Sequence, residues 1–292
     1  MVGYRLPGTA WAGACRSWGI HEEGKRVNNI GVLAFARMVK LLANVTKLAS
    51  YGFHFLFPNK RFTIPERAAP WWRSKRAAEA KVPRILWQTN FTDKATLPVY
   101  LNYLFNRLMA PSFEYRFLIT EARAAFIEQN YPADIFEAYS RLQVGAAQAD
   151  FWRVLVLQRH GGVYMDIDGH AVWPLARIVK PEMEELFVTT KRGDISNYFI
   201  ASKPDNPHLH KVIEAIYANI ESDEEMGIFH LTGPTVYNQV LPRDEIRTAS
   251  YRYTCNQGNF TNEYFQYMDK PQGKWTQEQY KVDVVRKREV VE

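Results

Sequence analysis

Asp166 and Asp168, with Ile167 between them, close the run Val163-Tyr-Met-Asp-Ile-Asp168. Carboxylate oxygens suit hard divalent cations such as Mg²⁺ and Mn²⁺, which also take diphosphate oxygens as ligands. An ion held there would neutralise charge on a departing diphosphate. An isolated Asp-x-Asp is common in surface turns, so its surroundings decide. Here an apolar strand-like run stands directly before the pair, Gly161-Gly162 before that, and a patterned helix further upstream. That helix carries Asp150 and Arg153 at i and i+3, on one face. The plain reading is an intrahelical ion pair, contributing about a few tenths of a kcal/mol. The chemical reading is a carboxylate for sugar hydroxyls beside a guanidinium fork for sugar or phosphate oxygens.

The elements that must position these groups follow from periodicity. Arg84-Ile-Leu-Trp-Gln88, after Pro83, reads as a first strand. Residues 97–109 read as a helix in which Leu101, Leu104, Phe105 and Leu108 share a face. Tyr115-Arg-Phe-Leu-Ile119 is a second strand, with a helix start at Thr120 and Glu121. Ala146 to Gln158 is a helix that Gly161-Gly162 ends, and Val163-Tyr-Met165 is a strand. Strands alternating with helices predict a mainly parallel sheet covered on both faces, with ligands at the C-terminal strand ends.

At 292 residues the chain is long enough for one large domain with an appendage. Apolar residues at 47% and charged residues at 23% place it among ordinary globular proteins. Cys15 and Cys255 give no disulfide framework and no zinc spacing, which favours a reducing compartment. The net charge of +6 is unevenly spread. Residues 1–76 hold 13 Lys/Arg against three Glu, and the remainder holds 24 basic and 28 acidic residues. The basic N-terminal quarter therefore predicts an anionic contact, phospholipid ahead of nucleic acid, and nucleic acid is left off the expected partners. Residues 1–29 have neither helical nor strand period nor a signal-peptide pattern. In residues 30–57, Arg37, Lys40, Asn44 and Lys47 form one stripe beside a wide apolar face. That predicts either a helix lying in a membrane interface or one docked on the catalytic domain. Pro65, Pro70 and Trp71-Trp-Arg-Ser-Lys-Arg76 read as a basic, aromatic linker.

Pro83-Arg-Ile-Leu-Trp-Gln-Thr89, Gly145-Ala-Ala-Gln-Ala-Asp-Phe-Trp-Arg153 and His160-Gly-Gly-Val-Tyr-Met-Asp-Ile-Asp168 resemble, in order and spacing, the sugar-binding DXD region of family 32 glycosyltransferases. That family includes capsule and lipopolysaccharide enzymes, fungal mannosyltransferases and, more distantly, the glucosylating clostridial toxins. Asn197-Tyr-Phe-Ile-Ala-Ser202 and Leu231-Thr-Gly-Pro-Thr235 resemble its later blocks, so the likeness covers about residues 82–240. It implies a GT-A fold, retention of anomeric configuration, and Mn²⁺ or Mg²⁺ on Asp166 and Asp168. It also implies donor-sugar contacts at Asp150 and Arg153, which join the two metal aspartates as the catalytic set. Trp87 falls where a ring can stack on the nucleotide base, with an ordinary core tryptophan as the alternative. Gln88, Tyr164, Ile167 and Asn197 complete the implied substrate contacts, a turn or cap asparagine being the other reading of Asn197. Thr232-Gly-Pro234 could equally be a helix entry. The chain departs from the GT-A pattern in having no histidine after His230, so the third metal ligand is unassigned and His170 is a candidate.

Taken together, the expectation is an unstructured leader over 1–29, an amphipathic and linker segment over 30–80, and a GT-A domain over 81–292. The expected function is retaining transfer from a nucleotide-sugar, UDP-sugar favoured, to a saccharide or lipid-linked saccharide in cell-surface polysaccharide synthesis. The expected place is the cytoplasmic face of the plasma membrane. Two rivals remain. Met165-Asp-Ile-Asp-Gly169 resembles the nucleophile loop of haloacid-dehalogenase phosphatases, although that loop normally opens its domain. A non-catalytic membrane-associated glycan-binding or assembly factor is the other.

Overall fold

The computed structural model describes residues 24–72, 79–222 and 224–288, with side chains described from residue 30 onward. In chain order the elements begin with α1 (Gly24–Leu56), β1 (Phe62–Thr63), β2 (Arg67–Ala68), β3 (Ile85–Thr89), β4 (Lys94–Ala95), α2 (Leu97–Met109) and β5 (Glu114–Leu118). There follow α3 (Thr120–Asn130), α4 (Ala133–Arg141), α5 (Gly145–His160), β6 (Gly162–Met165), β7 (Gly169–Ala171), α6 (Leu175–Ile178), β8 (Glu185–Thr189) and β9 (Ile195–Ser202). The chain continues through α7 (Pro207–Glu221), α8 (Ile228–Leu231), α9 (Pro234–Val240), β10 (Thr248–Ser250), β11 (Cys255–Gln257), α10 (Glu263–Tyr267) and α11 (Trp275–Glu278).

A seven-stranded mixed sheet in the order β10-β8-β9-β6-β3-β5-β2 forms the centre. Strands β3, β5, β6, β8 and β10 run one way, and only β2 and β9 oppose them. One core lies between the sheet and α5, α7 and α9. A second lies on the α2 side and includes Phe113, Phe117, Met165 and Phe199. This is the single mixed sheet flanked by helices that the GT-A expectation describes. The C-terminal ends of β3 and β6 and the N-terminal end of β9 meet along one edge, where parallel α/β sheets present ligand sites.

The turn from α5 into β6 fixes the position of the acidic pair. Gly161 adopts φ 62° and donates its N–H to the Leu157 carbonyl at 2.8 Å, capping the helix. Gly162 follows at φ 112°, and a Cβ there would stand 2.8 Å from the Ile85 carbonyl oxygen. Both positions therefore need glycine, one for its left-handed backbone and the other also for close approach to β3.

Three sequence expectations change. The leader expected over 1–29 lies largely outside the described residues, but its residues 24–29 are already the first turns of α1. The expected linker is part of the fold as far as residue 72, and its residues 73–76 lie outside the described residues. Strand β2 pairs antiparallel with β5, and the Glu66 carbonyl accepts the Phe117 N–H at 2.8 Å. In α2 the face turned inward is not the leucine face: Leu104 and Leu108 are exposed while Asn102 and Asn106 are buried. The neighbour explains it. Asn102 Nδ2 donates to the carbonyls of Ile167 (2.8 Å) and Gly169 (2.9 Å), and Asn106 Nδ2 donates to Gly169 at 2.8 Å. A turn rich in carbonyls calls for amides rather than leucines.

Gly162→Ala is expected to destabilise the protein by on the order of 1–3 kcal/mol from backbone strain alone, before its clash with β3 is added. Urea unfolding checks this; a loss under about 0.5 kcal/mol would contradict the close-packed turn.

Candidate active site

Asp166 leaves the end of β6 with its N–H donated to the Tyr198 carbonyl at 2.9 Å, and its own carbonyl accepts from Gly169 at 2.9 Å. This tight turn points Asp166 and Asp168 into a cleft of about 510 Å³. Asp166 Oδ1 accepts from the Tyr164 hydroxyl at 2.7 Å and lies 3.4 Å from Arg153 Nη2. Its Oδ2 and Asp168 Oδ1 both accept from one atom, Gln257 Nε2, at 3.0 Å each.

Behind them stands a buried network on α5 and β9. Arg153, 5% exposed, reaches Asp150 Oδ1 at 2.7 Å and donates to the Asn197 carbonyl at 2.7 Å. Its guanidinium lies 4.4 Å from the centre of the Tyr164 ring, a cation–π contact. Asp150, 6% exposed, also accepts from Asn197 Nδ2 at 2.9 Å and from the Thr232 hydroxyl at 3.1 Å. An ion pair this buried is tolerated only when fully hydrogen-bonded, and this one is. Gly145, Ala146 and Ala149 line the cleft on the same helix, and their small side chains leave room for a ligand above the pair.

The site holds an excess of negative charge. Burial pushes the Asp150 carboxyl up to about 6, against the opposing pull of Arg153. Burial, helped by the charge of Asp166, pushes Asp168 up to about 7. Burial opposes the charge of Arg153, yet Tyr164, Asp150 and Asp166 together hold its pKa above the ordinary value. With three carboxylates ionised and one guanidinium between them, the arrangement favours an added cation.

The residues present fit a hard divalent ion. Two carboxylates converge on a point now taken by an amide nitrogen, and turning that amide over presents Gln257 Oε1 as a third oxygen donor. No cluster of three or more His, Cys, Asp or Glu side chains suited to a metal occurs among the described residues. His170 is not the third ligand. It is fully buried between Phe105 and Phe260, with its pKa lowered to about 4 by burial, and lies outside the cleft lining.

The structure thus brings Asp150, Arg153, Tyr164, Asp166, Ile167, Asp168 and Asn197 into one cleft. It separates Trp87 and Gln88 from them. Trp87 is 3% exposed, donates Nε1–H to the Gly161 carbonyl at 2.9 Å and packs edge-on against Trp152, so its ring cannot reach a base. Gln88 is fully buried, and its Nε2 donates to the Asp166 carbonyl at 3.0 Å. It positions the acidic turn from behind. The sequence reading missed Gln257 and did not give Thr232, Arg123, Tyr267 or Lys270 a place in the site. Thr232 closes the Asp150 network, and the other four line the cleft.

Residues 98–186 match the family model described as a glycosyltransferase sugar-binding region containing a DXD motif. This segment is similar to the sugar-binding region of DXD-type glycosyltransferases. It contains α2, α5 and the Asp166-Ile167-Asp168 turn, so the matched motif is the acidic pair in the cleft. Over 93 residues the chain is 32% identical to the initiation-specific alpha-1,6-mannosyltransferase of Schizosaccharomyces pombe, covering 30% of this chain and 23% of that protein. Over 190 residues it is 26% identical to the protein of the same name from Candida albicans, covering 60% and 46%. The chain thus spans less than half the length of each. Among solved structures it is similar to the PaToxG glycosyltransferase, with a TM-score of 0.44, 16% identity, and coverage of 75% of this chain and 80% of that one.

The raised carboxyl groups give the cleft a pH signature. Asp150 and Asp168 hold protons more tightly folded than unfolded, so the metal-free protein loses stability as pH rises from about 4 through about 7. A divalent cation needs the ionised carboxylates. Mn²⁺ should therefore raise the melting temperature clearly near pH 7.5 and little near pH 5, as followed by thermal shift. Equal shifts at both pH values, or none, would contradict this assignment.

Proposed function

We propose that this chain transfers a sugar from a nucleotide-sugar donor to a saccharide or lipid-linked saccharide acceptor, with retention at the anomeric carbon. The observation that carries the reading is the convergence of Asp166 and Asp168 on one point beside the Asp150–Arg153 pair, inside a matched sugar-binding region.

In this reading Asp166, Asp168 and Gln257 hold Mn²⁺ or Mg²⁺. When bound, the ion offsets charge on the nucleoside diphosphate as the sugar–phosphate bond breaks. Arg153 presents its charge to the donor from a fixed position, because Asp150 and the Asn197 carbonyl leave it no freedom to swing away. Asp150 Oδ2, bonded only to Thr232 among the described residues, retains capacity for a sugar hydroxyl. Tyr164 and Gln88 orient Asp166 from its side chain and its carbonyl, and so are positioning residues. Lys270 and Lys274 line the cleft opposite the acidic turn and supply the positive side of a diphosphate clamp. Their present partners, Glu278 and Glu263, would exchange for phosphate. The departing diphosphate then takes the acceptor proton on the same face of the sugar, which needs no enzymic base.

The favoured donor is a UDP-sugar, and the similarity to fungal mannosyltransferases adds mannosyl donors to those worth screening. A role in cell-surface polysaccharide synthesis follows the resemblance to capsule and lipopolysaccharide enzymes. The phosphatase alternative is disfavoured by the bonding of Asp166, whose Oδ1 meets Tyr164 and Arg153 while Oδ2 meets Gln257. Such a carboxylate is held as a ligand rather than freed as a nucleophile.

Incubating the protein with a panel of UDP- and GDP-sugars should give Mn²⁺-dependent release of the nucleotide from at least one donor. Asp166→Asn and Asp168→Asn should each slow release by about a hundredfold or more, the loss of several kcal/mol of charge stabilisation. Gln257→Ala should weaken Mn²⁺ binding by about ten- to a hundredfold in a titration followed by electron paramagnetic resonance. Folded protein that releases nothing from the whole panel would defeat the reading.

A further inference from the structure

Helix α1 docks on the fold along one side and leaves the opposite side uncovered. Val39, Ala43, Ser50 and His54 are buried against the body of the protein. On the opposite side Met38, Leu41, Leu42, Val45, Leu48 and Phe55 are between 57% and 86% exposed. At 100° per residue these six fall within an arc of about 140°, roughly opposite the docked stripe. Arg37 stands at one edge of that arc, and Lys40 and Lys47 continue from it toward the docked stripe. No acidic residue occurs anywhere in the 33 residues of α1. The sequence left interfacial and docked readings of this helix open; in the structure it docks by this stripe, flanked by Phe35, Tyr51 and Phe53, and leaves its opposite apolar face uncovered.

We propose that this face of α1 is a docking surface for an anionic lipid bilayer, with the helix lying in the plane of the interface. The charge pattern chooses this occupant. A second copy packed face to face would set basic stripe near basic stripe, with no acid on the helix to meet them. An anionic bilayer meets both features at once, burying the apolar arc among acyl chains while the lysines and arginine extend to headgroups. From residue 30 to residue 56 the helix is roughly 40 Å long, a substantial line of contact. Among the described residues no helix is long and apolar enough to cross a membrane, which agrees with a helix that lies on the surface.

The docked helix is also a neighbour of the cleft. Tyr51 packs on Phe265 with ring centres 4.6 Å apart, and its hydroxyl accepts from Asn262 Nδ2 at 2.8 Å. His54 Nε2 accepts the Leu97 N–H at 3.1 Å, where α2 begins. Tyr51 and its partners brace α10, whose Glu263, Gln266 and Tyr267 form part of the cleft wall. A bilayer on the far side of α1 would stand one helix away from that wall, a placement suited to a lipid-borne acceptor. That last consequence rests on the transferase reading. The docking surface does not.

Flotation of the full chain with vesicles tests it without any donor. With equal parts phosphatidylcholine and phosphatidylglycerol the protein should float, and it should stay behind with phosphatidylcholine alone. Replacing Arg37, Lys40 and Lys47 by Gln should weaken binding on the order of a hundredfold, at roughly 1 kcal/mol for each lost charge. The triple variant Leu41→Glu, Val45→Glu, Leu48→Glu should bind at least about tenfold less while unfolding at an unchanged temperature, because all three side chains are exposed. Wild-type protein that fails to float, or a triple-Glu variant that floats as well as wild type, would overturn the proposal. So would a dimer in sedimentation equilibrium that the triple-Glu variant dissolves without any vesicle binding, which would assign the face to a second copy.

Discussion

Arg153 lies buried between Asp150 and Asp166, and the surrounding elements are arranged to keep it there. A guanidinium taken out of water at this depth is stable only when its donors are met, and removing one partner leaves an uncompensated charge that costs about 3–5 kcal/mol. The partners come from separate parts of the chain: Asp150 from the same helix, Asp166 from the end of β6, and the Asn197 carbonyl from β9. Thr232 ties in the segment between α8 and α9 through Asp150. The network therefore locks α5, β6 and β9 into one register, and the DXD turn inherits its position from that lock. The same bonds that stabilise the fold fix a positive charge beside the acidic turn.

A second layer of polar groups supports the turn from beneath. Asn102, Asn106 and Gln88 satisfy the carbonyls of Ile167, Gly169 and Asp166, each buried and each otherwise costly to leave unmet. This explains why α2 turns Asn102 and Asn106 inward in place of Leu104 and Leu108, and why β3 places Gln88 beneath the turn. The arrangement concentrates negative charge at the mouth of the sheet while its support remains neutral. Burial, with the charge of Asp166 beside it, pushes the Asp168 carboxyl up.

Strands β3, β5 and β6 and helices α2 and α5 were legible as short apolar runs bounded by turn residues, a local signal that holds even where β6 and the middle of α5 are buried all round. The glycines at 161 and 162 were legible for the same reason. Trp87 was read toward the ligand although strand alternation cannot say which layer a given side faces; here α5 lies over it and Trp152 packs against its edge. Leu104 and Leu108 show the limit of choosing a buried face by hydrophobicity, since the surface below α2 is made of carbonyls. Gln257 was invisible for a different reason. It sits on a three-residue strand, and only the antiparallel pairing of β11 with β7, which sets Gln257 opposite Gly169, brings it to aspartates about 90 positions earlier. Long-range pairing of so short a segment leaves no periodic trace.

The central claim is that Asp166, Asp168 and Gln257 form one cation site serving a nucleoside diphosphate. Crystals soaked in Mn²⁺ and UDP, measured for anomalous scattering, test it most directly. The account predicts a single strong peak between Asp166 Oδ2 and Asp168 Oδ1, with Gln257 turned to present its oxygen and a phosphate oxygen completing the shell. Bound nucleotide with no metal between the two aspartates, or a metal bound elsewhere in the cleft, would contradict it.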